Sequence, residues 1–374
     1  MNSRERILAH VRGEPVDRIP MIGGWVLGMR NVAELAGVSV AQAVADTWSA
    51  VLQANRNLHV DAVVPPIVPA DEASIRAGSL QESWFADVTP EHLLRDAEAT
   101  PDSEGKLLAA FDAAKWEKEY SEHFEGMLKR LGGMELLPTH WDSVADFSLY
   151  FKYGYVAFLS AVGLYPEAVE RLWWASGVLK REQNRVLVRL YRKYDLLPLM
   201  FCGHDICTGS GPMVAPEVLR ARYWPHARVS LEPVLEAGIR VICHCDGNVM
   251  PLLDDIIDAG FSGFQGFQYE FGVDPYRMAE RLAVKTGRTP LFLGGLCVSR
   301  TLPFGSPEEV CEEVDFCFDY TGGGRGLFLF TSNVTGVEVP TSNLVAAYRH
   351  CESQRAGPYG EVVRRPWPWA TRHP

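Results

Sequence analysis

Along the second half of the chain, short apolar runs alternate with stretches in which apolar positions return every three or four residues. The runs at 196–206, 240–246, 262–268, 290–296 and 326–332 read as strands. The stretches at 166–194, 216–237, 250–259, 275–286, 307–320 and 340–353 read as helices. Such alternation implies parallel strands joined by helical crossovers. Five such units, with similar apolar runs earlier, fit a (β/α)8 TIM-type barrel better than an open sheet, with 1–374 as one domain. The first half is less regular. Residues 3–12 form an amphipathic helix with Ser3 as N-cap and Ile7, Leu8 and Val11 on one face, closed by Gly13-Glu14-Pro15. Residues 17–29 are a loop running into a strand, 39–57 a helix, and 59–66 a strand. The polar segment 86–146 reads as a lid or cap excursion from the barrel. No internal repeat of fixed period is visible.

Composition narrows the picture. Of 374 residues, 47% are hydrophobic, enough for a large core. The net charge of −11 argues against nucleic acid and anionic membrane surfaces as partners. No apolar run reaches the roughly 18–20 residues that span a bilayer. The N-terminus is charged rather than an apolar signal core, so the cytoplasm is the expected location. The eight cysteines all lie in the second half and read as buried thiols rather than a disulfide scaffold.

In a parallel α/β barrel, chemistry sits where strands end. Alternation along 240–246 points His244 and Asp246 to one face and Cys243 and Cys245 to the other, with Gly247 permitting the turn. The pair suits a metal, or a histidine oriented for acid–base work. The alternative is a buried histidine satisfied by its neighbouring aspartate. His204 and Asp205 end the preceding strand and enter a glycine-rich loop. There Asp205 either contacts substrate or caps the next helix. Gln265, Gln268 and Glu270 form a third group, with Glu270 placed to complete a metal site. Cys297, Arg300, Ser332 and Asn333 follow later strands. Gly322-Gly323-Gly324-Arg325-Gly326 precedes a strand, not a helix, and reads as a turn rather than a phosphate loop. The tail Pro366-Trp367-Pro368-Trp369 either docks on the barrel or a second subunit, or stays disordered.

These motifs in order resemble the uroporphyrinogen decarboxylase superfamily. The resemblance runs from Arg4-Glu5-Arg6 and Gly13-Glu14-Pro15-Val16-Asp17-Arg18-Ile19-Pro20, through Gly211-Pro212-Met213-Val214-Ala215-Pro216-Glu217 and 242–248, to 302–310 and 339–344. It implies either the decarboxylase or the corrinoid-dependent methyltransferases. The stretch 21–28 lacks the arginine pair with which the decarboxylase grips its porphyrinogen, although Asp61 ends an early strand. The methyltransferase branch carries zinc on His-x-Cys and a later cysteine. Here Asp246 replaces the first cysteine, and Ser332-Asn333 stands where the later one would fall. What remains resembles a harder site of His244, Asp246 and Glu270.

The reading is a methyltransferase or demethylase that moves a methyl group from a small methoxylated or methylated substrate. Trp25, Tyr150, His204, Phe267, Gln268 and Asn333 would bind that substrate, and His244, Asp246 and Asp205 would act on it, with zinc at the metal site. The acceptor would be a corrinoid on a separate protein, since the chain has no Asp-x-His-x-x-Gly signature of its own. A homodimer is the family-level expectation. The alternatives are a decarboxylase of a small non-porphyrin acid and a non-catalytic ligand-binding barrel.

Overall fold

Ten short strands carry the architecture among residues 1–65, 82–354, 360 and 362–373, which the computed structural model describes. They are β1 (Ile22–Gly23), β2 (Ala62–Val63), β3 (Glu135–Leu136), β4 (Leu199–Gly203), β5 (Cys207–Thr208), β6 (Gly211–Pro212), β7 (Arg240–His244), β8 (Gly263–Gln265), β9 (Leu291–Leu296) and β10 (Leu327–Thr331). β4 and β7 to β10 lie within the predicted runs but are shorter, whereas the hairpin strands β5 and β6 fall outside them. The predicted strand 59–66 is reduced to β2, and its last residue lies outside the described residues.

The chain forms two compact units. The first comprises 1–78, 126–139 and 262–374. In it β8, β9 and β10 pair in parallel, as do β1, β2 and β3, and a parallel bridge from Met21 to Leu329 joins the two sets. All six residues of β9 and all five of β10 are buried, as expected for parallel strands covered on both faces. At one end of this unit the Asp61 carboxylate is wholly buried. It accepts from the Arg6 guanidinium, from Arg18 Nη1 at 2.7 Å and from the Met21 backbone N–H at 2.9 Å. Its oxygens are thus committed to holding the N-terminal segment in place.

The second unit comprises 79–125 and 140–261. Here β4 pairs with β7 in parallel, and β5 and β6 form a small antiparallel hairpin. The long helix Pro166–Lys193 packs beside Trp224–Glu236. The segment 86–146 is largely helical. It contains Pro90–Ala99, Glu104–Leu108 and Ala113–Leu131, the last running from one unit into the other. Leu107 is buried against Ala175 and Val178 of the long helix, and Arg181 and Arg189 of that helix pair with Glu104 and Glu117.

Several helix boundaries correct the pattern reading. The first helix is capped by Asn2, not Ser3, because Asn2 accepts from the Glu5 N–H while Glu5 returns to the Asn2 N–H. The stretch 39–57 is two helices, since Asp46 leaves the helical region and caps the second by accepting from Ser49. The stretch 216–237 also divides, with Pro225 in the first turn of the second helix. Helix Met29–Ala36, unforeseen in the sequence, ends on Gly37 in the left-handed region. Mixed α/β structure on parallel strands is therefore the architecture. No described helix is long and apolar enough to cross a membrane.

Candidate functional site

Two adjacent strand ends build the site. Gly203 and His244 are register partners closing β4 and β7. At Gly203 φ is +147°, and a Cβ there would lie 2.2 Å from the His244 carbonyl oxygen. Gly247 has φ of +84°, where a Cβ would meet the Thr208 carbonyl at 2.4 Å. Only glycine tolerates these approaches, and they bring the segments after β4 and β7 together. The Asp246 backbone N–H donates to Asp205 Oδ1 at 2.9 Å, and His244 Nε2 lies 3.6 Å from the same oxygen. Asp205 therefore does not cap a helix; it clasps the neighbouring strand end.

The supports are local. The Tyr150 phenol donates to the Asp205 carbonyl at 3.2 Å, and Ser148 Oγ sits 3.2 Å from that phenol and 2.9 Å from His204 Nδ1. Tyr150 is buried, which raises its pKa and keeps it a hydrogen-bond donor. Burial likewise lowers the His204 pKa and favours its neutral ring. The His244 ring meets Trp141 (centroids 5.2 Å, 67°) and Phe201 (5.8 Å, 89°) edge to face. On the opposite face of β7, Cys243 and Cys245 are buried, with thiol pKa values well above the usual range. Burial is the main cause for Cys243, whereas a hydrogen bond with Cys207 comes before burial for Cys245. These thiols are inert.

Asp205, His244 and Asp246 each offer one ligand atom, all within 4.8 Å of one another. Tetrahedral zinc at about 2.0–2.1 Å needs donors roughly 3.4 Å apart, so small rotations would suffice. Two carboxylates and an imidazole form a hard-to-borderline donor set, suited to zinc or a similar dication. Beside the trio opens a cavity of about 470 Å³, lined by His244, Asp205, His204 and Tyr150 together with Trp141, Asp142, Asp146, Ser148, Phe151 and Lys152.

Of the sequence-singled residues, the structure brings Asp205, His244, Asp246, His204 and Tyr150 together in one unit. The others lie in the first unit. Glu270 accepts from Ser299 Oγ and lies 3.7 Å from Cys297 Sγ, and Asp205 is the third member of the trio. Gln265 donates to the Thr331 and Ser332 carbonyls at 3.0 and 2.8 Å, which answers its burial. Gln268 directly precedes the turn Tyr269–Phe271. Phe267 is buried among Tyr269, Phe292 and Tyr320. Trp25 is buried against Phe330, with φ of +57°. Asn333 Oδ1 accepts from the Val334 N–H at 2.6 Å. Pattern reasoning singled out Tyr150 but missed the rest of the cavity wall at 141–152. Its signal is acids interleaved with aromatics (Trp141, Asp142, Asp146, Tyr150, Phe151) outside any strand run.

The fold has a relative among solved structures. A methyltransferase from Methanosarcina mazei superposes with a TM-score of 0.60 at 14% identity, over 94% of this chain and 98% of that one. At that identity the likeness concerns the fold. No protein-family model and no curated protein match the chain.

Proposed function

We propose that this protein is a methyltransferase of the demethylase type, built on a (β/α)8 barrel of the uroporphyrinogen decarboxylase kind. It would take a methyl group from a small methoxylated or methylated substrate and pass it to a corrinoid carried by a separate protein. The observation that carries the reading is the convergence of Asp205, His244 and Asp246, of which Asp205 and His244 line the cavity. The fold shared with a methyltransferase supports it by analogy, since one fold hosts many chemistries.

Asp205, His244 and Asp246 would hold zinc, which when bound supplies Lewis acidity at the oxygen that leaves as the methyl departs. An alkoxide or phenoxide leaves poorly without such charge stabilisation. Tyr150 fixes the Asp205 backbone, and Trp141 and Phe201 hold the His244 ring. Without an ion, His244 or a protonated Asp246 would donate the proton instead.

The test is elemental analysis of wild type beside His244→Ala and Asp246→Ala, followed by methyl transfer from methyl ethers to added cob(I)alamin kept reduced by an added reductant. About one zinc per chain, lost in both variants, is the expected result. Carefully prepared wild type without metal would sink the zinc assignment. Failure of every methyl ether to alkylate cobalamin would sink methyl transfer.

A further inference from the structure

The cavity beside the trio has a chemical character that narrows the donor. Trp141 and Phe151 line it, and they stay 40% and 62% exposed although each is a large apolar ring. Trp141 packs on Phe201 and His244 and Phe151 on Tyr150, and the remaining exposed surface of each ring is offered to a ligand. A volume of about 470 Å³ suits a small aromatic molecule.

The polar lining is unbalanced. Asp142, Asp146 and Asp205 supply three carboxylates, and Lys152 is the cationic side chain among the lining residues. The Lys152 ammonium donates to Asp96 at 2.7 Å and lies over the Tyr153 ring, so its charge is met outside the cavity. Lys180 lies 3.5 Å from Asp142 and offsets that one acid. Asp146 and Asp205 remain to set the potential. Low-dielectric walls sharpen such a field, and a like charge entering it is rejected.

We infer that the cavity takes an aromatic methyl donor that is neutral or cationic and donates hydrogen bonds, and that it refuses carboxylated arenes. Stacking on Trp141 and Phe151 would hold the ring, and the aspartates would accept from a phenol hydroxyl or an ammonium. This rests on the methyl-transfer reading of the same site. A metal on the trio would neutralise Asp205 and leave Asp146, so the preference would shrink but keep its sign.

The experiment is titration calorimetry of the full chain with methoxytyramine, guaiacol and vanillate, before and after chelator treatment and with no corrinoid present. Vanillate should bind at least about tenfold more weakly than methoxytyramine, with guaiacol between. Asp146→Asn should shrink that ratio severalfold, whereas Trp141→Ala should weaken all three without changing their order. Vanillate binding as tightly as guaiacol, no binding of any probe, or an unchanged ratio in Asp146→Asn would each overturn the inference. The expected order without any methyl transfer to cobalamin would preserve the ligand class while sinking the reaction. Transfer from vanillate in preference to guaiacol would do the reverse.

Discussion

Each unit places carboxylates at the end of parallel strands, and they meet different surroundings. After β9, Glu313 is fully buried and accepts from the Cys297 N–H at 2.9 Å, Thr301 Oγ1 at 2.7 Å and Trp367 Nε1 at 2.7 Å. After β4 and β7, Asp205 and Asp246 are only half-buried, and Asp205 faces a cavity. Near β2, Asp61 resembles Glu313, since two arginines and a backbone N–H consume its oxygens. An acid becomes a structural part when donors from its own chain saturate it in the absence of water. It stays available for chemistry when part of its coordination faces an open space. The Glu313 cluster also seats the C-terminal tail, since Trp367 packs on Tyr269 while its indole N–H reaches the carboxylate. The tail therefore docks on its own chain.

The sharpest way to break this comparison is to disturb the closed acids. Asp61→Asn strands two arginines around a neutral group and should cost roughly 3–5 kcal/mol of stability, read by urea unfolding. Loss below about 1 kcal/mol would mean that the cluster is not the anchor described. Glu313→Ala should cost about 2–4 kcal/mol, because three donors lose their acceptor and a void remains. A tail cut before Trp367 should recover part of that loss when combined with it, and simple additivity would argue that the tail docks elsewhere.

A smaller effect is pH-dependent. Burial raises the Glu313 pKa from 4.5 to about 7, against the three hydrogen bonds that lower it. Folding therefore takes up a proton in that window. The associated stability is fully present below pH 4.5 and is lost as pH rises through 7, with a slope of at most about 1.4 kcal/mol per unit. Glu313→Gln should flatten this limb in a series of unfolding midpoints. His10 acts in the opposite sense. Burial lowers its pKa from 6.5 to about 4, while its Nε2 donates to the Leu327 carbonyl at 2.8 Å. Its contribution is present above pH 6.5 and is lost as pH falls through 4. A variant with no change on the alkaline side would place the Glu313 proton wrongly.

The smallest expected change is at the open acids. Asp205→Asn keeps an oxygen for the Asp246 N–H, so stability should stay within about 0.5 kcal/mol of wild type while metal retention and methyl transfer fall. A large stability loss there would erase the distinction between the two groups.

Periodicity carried much of the architecture. The later strand and helix positions follow from apolar spacing alone, because burial on one face or both imposes the 2.0 and 3.6 repeats locally. The facing of His244 and Asp246 away from Cys243 and Cys245 also follows from strand alternation. Short-range cues were read less well where a better competitor stood one residue away, as at Asn2 beside Ser3, or where Asp46 interrupts a continuous apolar pattern.

Long-range partners were beyond the pattern. Asp205 and Glu270 look alike in the sequence, each an acid just past a strand. Tertiary contacts give one the cavity and the trio, and give the other Ser299 and Cys297. Trp25 and Phe267 look like mouth aromatics until packing buries them, whereas Trp141 and Phe151 look like ordinary loop residues until the fold leaves them exposed over the cavity. The sequence by itself determined most strands and helices of the second half and which side chains share a strand face, since those depend on neighbours a few residues away. Only the tertiary structure decided which acids remain open to solvent and which are consumed, because saturation and burial depend on donors from other elements, brought from 12 to 55 residues along the chain, as with Glu313 and Asp61.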